Sequence, residues 1–131
     1  MKKAKGTFVP STSVSERKRI IKKLDDLVRD RVRKRDKVCK ICGNDSSLQV
    51  CHIFSRHNKG TRWDLGNLVL LCYYHHMRFA HSNPIEFSEW TKKYLGERKY
   101  DLLRYKAKEA TKFTTAELEI LYKELKYEMD K

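Results

Sequence analysis

Apolar residues recur at helical spacing through Ile20, Ile21, Leu24, Leu27, Val28 and Val32, and the opposite face is left to lysine and arginine. That stripe predicts an amphipathic helix with one side in a core. Ser13-Val-Ser-Glu16 reads as a capping box, which sets the expected basic helix at residues 13–37, its regular part ending near Asp36. Before it, residues 1–12 hold Gly6, Pro10, serine and threonine with no period, and read as a flexible arm.

The period then changes. Leu48, Val50, His52 and Phe54 alternate as in a half-buried strand. A polar stretch from Arg56 to Gly66 carries the turn signals Asn58-Lys-Gly60 and Asp64-Leu-Gly66. Asn67-Leu-Val-Leu-Leu71 predicts a short buried strand, and a helix bearing His75, His76 and Phe79 is expected to begin near Cys72. Asn83-Pro84 combines an N-cap residue with proline at the first helical position, opening a helix lined by Ile85, Phe87, Trp90 and Tyr94 that Gly96 ends. Glu97 to about Ala110 follows as helix, and Thr114-Thr-Ala-Glu117 is a second capping box before Leu118, Ile120, Leu121, Leu125 and Met129. The pattern is α+β and mostly helical. It predicts one domain over 13–131: the basic helix, a compact strand–loop–strand–helix core at 38–82, and a C-terminal helical extension at 83–131.

Charge narrows the partner. Thirty Lys and Arg against seventeen Asp and Glu leave +13 on 131 residues. Such self-repulsion is relieved by a polyanion, and nucleic acid is the expected one. Arg56, Lys59 and Arg62, in the polar loop, lean toward DNA backbone contact, whereas solvation is the default for His57 beside them. Trp63, Phe87 and Trp90 are expected in the core rather than as base-stacking platforms. No apolar run approaches the ~18 residues of a membrane span. The basic start, Met1-Lys-Lys-Ala-Lys5, lacks the apolar stretch of a signal peptide, so a cytoplasmic protein with no membrane partner is expected.

The cysteines supply the first candidate chemistry. Cys39-Lys-Ile-Cys42, followed by Gly43, is a C-x2-C knuckle, and Cys72-Tyr-Tyr-His75 repeats the spacing with histidine. Together they offer Cys3His, a closed tetrahedral set suited to structural Zn2+, with Cys51 left over. A redox C-x2-C would need a βαβ context that is not visible. The core at 38–82 is too short to bury enough apolar surface by itself, and zinc would supply the missing stability. If both knuckles hold one ion, the segments flanking the loop come together, and with them His52, Asn67 and His76. His75 and His76 lie about 100° apart on a helix. One therefore closes the zinc site while the other looks into a different pocket.

Cys39-x2-Cys42, Cys51-His52-Ile53, Asn67-Leu-x2-Leu-Cys72 and His75-His76 resemble the HNH nuclease signature in its zinc-knuckle form. That resemblance implies a ββα-metal fold and a metal-dependent endodeoxyribonuclease. More narrowly, the chain resembles the phage recombination nucleases of the lambda NinG (Rap) type. There, too, an arginine-rich helix precedes the knuckle, a stretch like Thr61-Arg-Trp-Asp64 precedes the asparagine, and a Thr-capped helix closes the C-terminal extension. The resemblance implies that His52 is the general base, that Asn67 orients His52 or holds the loop, and that His76 binds a catalytic divalent ion (Mg2+, Mn2+, Ni2+ or Zn2+). His81 would be a second ligand to that ion if the turn before Asn83-Pro84 loosens, since i, i+4 spacing suits a regular helix better than i, i+5. It also implies branched or junction DNA as substrate, in a bacterial or phage-infected cell, for which a homodimer would be apt.

One position departs from the family. Where catalytic HNH sites usually place His or Asp as a ligand before the base, this chain has Cys51, and a thiolate suits Mg2+ badly. Two other readings therefore stand beside the nuclease: a non-cleaving zinc-knuckle DNA-binding module, and an adaptor for another recombination or packaging factor.

Overall fold

The computed structural model describes residues 8–129, with side chains from Val14 to Glu128. The fold is α+β and mostly helical: α1 (Phe8–Asp36), β1 (Leu48–His52), the short α2 (Lys59–Arg62), a 3-10 turn (Leu65–Asn67), β2 (Leu68–Cys72), a π-helix (Tyr74–Ala80), α3 (Pro84–Leu95), α4 (Glu97–Lys108) and α5 (Thr115–Met129). α1 begins at Phe8 rather than at the Ser13 capping box. Residues 8–12 are thus helical where an arm was expected, and residues 1–7 of that arm lie outside the described residues. Propagating an existing helix by one residue costs far less than nucleating a new one, so a local cap signal is easily overrun.

The described residues fall into two compact units. The first comprises those through Leu27 and those from Phe113 onward. Ile20, Leu24 and Leu118 are its buried apolar residues. Arg17 donates to the Phe113 carbonyl at 2.8 Å. The Thr114 box forms in full: the Glu117 carboxylate accepts from Thr114 N–H at 2.9 Å, and Thr114 Oγ1 accepts from Glu117 N–H at 3.1 Å. Those bonds hold the Glu117 carboxyl below its ordinary range.

The second unit, Val28–Lys112, carries the sheet. β1 and β2 pair antiparallel with Leu48 opposite Cys72 and His52 opposite Leu68. Two strands alone are marginal in water. Every residue of β2 is buried, and Val69 and Leu71 pack in a cluster with Cys39, Cys51, Cys72, Ala80 and Phe87. The π-helix packs on β2 and α3, and α4 on α3 and α2. Trp63 and Phe87 are buried and Trp90 is half-buried against the same cluster, as core residues should be. Gly60 is held where a Cβ would lie 3.0 Å from Thr111 Oγ1 and 3.2 Å from the Lys106 carbonyl, so any side chain there would push these neighbours back by a few tenths of an ångström.

The end of α1 is tied to this sheet by ions. Arg35 grips the Asp36 carboxylate through Nε at 2.7 Å and a terminal nitrogen at 3.0 Å, and also donates to the Leu65 and Leu68 carbonyls. The buried Asp36 in turn accepts from Leu70 N–H at 3.0 Å. Removing one member of such a network strands the other. Asp36→Ala is expected to cost about 3 kcal/mol, read as a lower midpoint in urea unfolding, while an exposed control such as Asp30→Ala stays within about 0.5 kcal/mol.

Candidate metal centre and active site

The C-x2-C turn is built by backbone bonds: Gly43 N–H donates to Cys39 O at 2.8 Å, Cys39 N–H to Asn44 O at 2.9 Å, and Gly43 takes a φ of 79°. Lys40 N–H donates to Leu70 O at 3.0 Å, which fastens the turn to β2. Cys72 ends that strand and His75 is the second residue of the π-helix, so strand and knuckle deliver their donors to one point. The ligand atoms of Cys39, Cys42, Cys72 and His75 all lie within 4.8 Å of one another, the one such group of three or more donors found among the described residues.

The spacing fits a tetrahedral ion. Bonds of about 2.3 Å to sulfur put two thiolates about 3.8 Å apart, and Sγ–N pairs near 3.5 Å. Here the Cys42 and Cys72 sulfurs are 3.8 Å apart, and His75 Nδ1 is 3.3 Å from Cys72 Sγ and 3.8 Å from Cys39 Sγ. Burial opposes ionisation of Cys39, but hydrogen bonds from the backbone at Cys42, Cys72 and Ile41 outweigh it and hold its thiol below the ordinary value. No disulfide competes, since all four cysteines are free.

His76 turns elsewhere. Its Nδ1 faces the Gln49 side-chain oxygen on β1, an acceptor, and a ring that donates there from Nδ1 keeps its lone pair on Nε2. That Nε2 lies 3.2 Å from His81 Nε2. On a regular α-helix five residues leave side chains about 140° apart. The π-helix removes the difficulty: its i→i+5 bond, His81 N–H to His76 O at 3.2 Å, brings the two rings to one side. Two imidazole nitrogens bound to one ion at about 2.0–2.1 Å stand roughly 3–3.4 Å apart, so the pair has the bite of a divalent metal site. Burial, and then the neighbouring His81, hold His76 below its ordinary pKa.

His52 ends β1. Its Nε2 lies 3.1 Å from the Arg62 carbonyl oxygen, an acceptor, to which a protonated Nε2 would donate. Asn67, fully buried, holds the loop that supplies this carbonyl. Its Oδ1 accepts from Phe54 N–H at 2.7 Å, and its Nδ2 donates to Phe54 O at 3.0 Å and to Thr61 O at 3.1 Å. Asn67 thereby joins the backbone at Phe54 to that at Thr61, one residue before the Arg62 carbonyl that faces His52. A cavity of about 250 Å³ has both His52 and His81 in its lining.

Residues 39–82 match the HNH endonuclease family. No curated protein and no solved structure matches the chain. The HNH segment contains both knuckles, His52, Asn67, His76 and His81, and ends where the C-terminal extension begins. Within it Cys51 lines the same cavity as His52 and His81. Burial pushes its thiol up to about 12, and it points Sγ at the His52 carbonyl 3.6 Å away. Arg56 is exposed, Lys59 and Arg62 are half-buried on or beside α2, and the Arg62 guanidinium covers the Trp63 ring at 5.2 Å.

Two features of the HNH segment were not read from the sequence. Gln49 fixes the His76 tautomer; its signal is a polar residue two before Cys51, on the strand face that meets the π-helix. The π-helix itself has no local signal that separates it from an α-helix.

Proposed function

We propose that this chain is a metal-dependent DNA endonuclease in which His52 is the general base. The observation that carries the reading is the cleft shared by His52, whose Nε2 is committed to a carbonyl, and His81 of the histidine pair. His52 would take a proton from the attacking water, with the Arg62 carbonyl stabilising the imidazolium that forms. Asn67 keeps that carbonyl in place. A divalent ion held by His76 and His81 would polarise the scissile phosphate and stabilise the leaving 3′ oxygen. The Cys3His cluster would hold the structural Zn2+. Arg56, Lys59 and Arg62 would neutralise backbone phosphates, adding to the salt dependence of binding.

Branched or recombination-intermediate DNA is the proposed substrate, a reading supported by the NinG resemblance of the flanking helices. A junction presents two strands to cut, which a homodimer would serve. Cleavage of linear, nicked and four-way substrates with Mg2+, Mn2+, Ni2+ or Zn2+ tests both levels. Product that depends on His52 supports the nuclease, and faster cutting of four-way DNA than of linear DNA supports the junction preference. Cys51 favours a second reading, a non-cleaving DNA-binding module, because a buried neutral thiol stands where a third ligand is usual. DNA binding without His52-dependent product under any metal would support that one.

The metal pair has its own test. In zinc-loaded protein, Gln49→Ala is expected to weaken Mn2+ or Ni2+ binding by about 10–100-fold, because His76 loses the partner that fixes its tautomer. His81→Ala should weaken it at least as much. Calorimetric titration reads both, and wild-type affinity in His81→Ala would remove that residue from the site.

A further inference from the structure

The cavity that holds His52 and His81 is lined also by residues beyond the HNH segment, from α3 and α4. Two of them carry hydroxyls: Ser88 Oγ and Tyr100 OH lie 2.7 Å apart. A mutual bond consumes one of their two hydroxyl hydrogens and leaves the other for a third oxygen. The pair is fixed from several directions. The Tyr100 ring meets the Phe54 ring at 5.3 Å, and Phe54 is the residue Asn67 clamps at both backbone atoms. Thr91 Oγ1 donates to the Ser88 carbonyl at 2.9 Å, and Lys92 Nζ lies 5.5 Å from the Tyr100 ring centroid, bringing positive charge to this wall.

We propose that the Ser88–Tyr100 hydroxyl pair binds a non-bridging oxygen of the DNA phosphate in this cleft, so that the C-terminal extension supplies part of the substrate site. The proposal rests on the nuclease reading for its substrate. A lone hydroxyl pair could instead brace α3 against α4, but these hydroxyls border the same cavity as the candidate base, with a cation beside them. An oriented hydroxyl donor to a charged phosphate oxygen is the strong kind of hydrogen bond.

Full-length wild type, Tyr100→Phe and Ser88→Ala are compared in single-turnover cleavage and in thermal melting. His52→Ala with and without Tyr100→Phe is compared in binding to a short duplex. Each hydroxyl deletion is expected to slow cleavage about tenfold, and Tyr100→Phe to weaken duplex binding by a similar factor in the His52→Ala background. At temperatures well below the melt, a brace alone would lower melting and leave rates and affinities unchanged, and that result overturns the proposal. If wild type fails to cleave while Tyr100→Phe still weakens binding, the nuclease reading fails and the phosphate contact stands. If cleavage depends on His52 but neither hydroxyl deletion changes rate or affinity, this proposal alone falls.

Discussion

His52→Ala is expected to lower the single-turnover cleavage rate by about 10²–10⁴-fold, the range for removing a positioned general base. The reason lies in the geometry of one ring. Nε2 faces the Arg62 carbonyl at 3.1 Å, and the substitution removes the imidazole while leaving the histidine pair on the π-helix in place. His52 is half-buried at a strand end, and its loss should barely move the melting curve. Zinc content should stay the same. The profile expected is therefore a silent active site in a folded, DNA-binding protein. Equal product from wild type and His52→Ala, under every metal tried, would falsify the assignment.

Removing the structural ion should have the larger effect on folding. Cys39→Ser, or chelation, is expected to unfold the HNH segment, with amide protection lost across residues 39–82. Structural zinc contributes about 10–16 kcal/mol of apparent binding energy in small zinc modules, against about 5–15 kcal/mol of total stability for a typical domain. A two-stranded sheet with one buried strand has little else to replace it. Metal analysis should find one zinc per chain in wild type. A protein purified without zinc that keeps native amide protection at Leu70 and Leu71 would end this reading.

Apolar period and caps made much of the architecture legible. Ile20, Leu24, Val28 and Val32 are buried along α1, Asn83-Pro84 and Gly96 bracket α3, and Thr114 and Glu117 close their box before α5. These signals act within a turn or two of chain, so a linear reading captures them. The start of α1 was misread at Ser13 because a possible cap does not stop a helix already running. Among the described residues no helix is long and apolar enough to cross a membrane.

The site was legible to a smaller depth. Ligand spacing alone identified Cys39, Cys42, Cys72 and His75 as a tetrahedral set, and two adjacent histidines on a helix must diverge whatever the fold. What residues decide by type and spacing, the chain determined by itself. Tertiary structure decided the rest, because it depends on burial and on contacts between distant segments. Packing on β2 and α3 accompanies the switch to a π-helix that swings His81 to His76; enclosure in the core raises the Cys51 thiol to about 12; Asn67 reaches Phe54 and Thr61; and the extension brings Ser88 and Tyr100 to the cavity of His52. Each is a relation between groups far apart in the chain, and no local period encodes it.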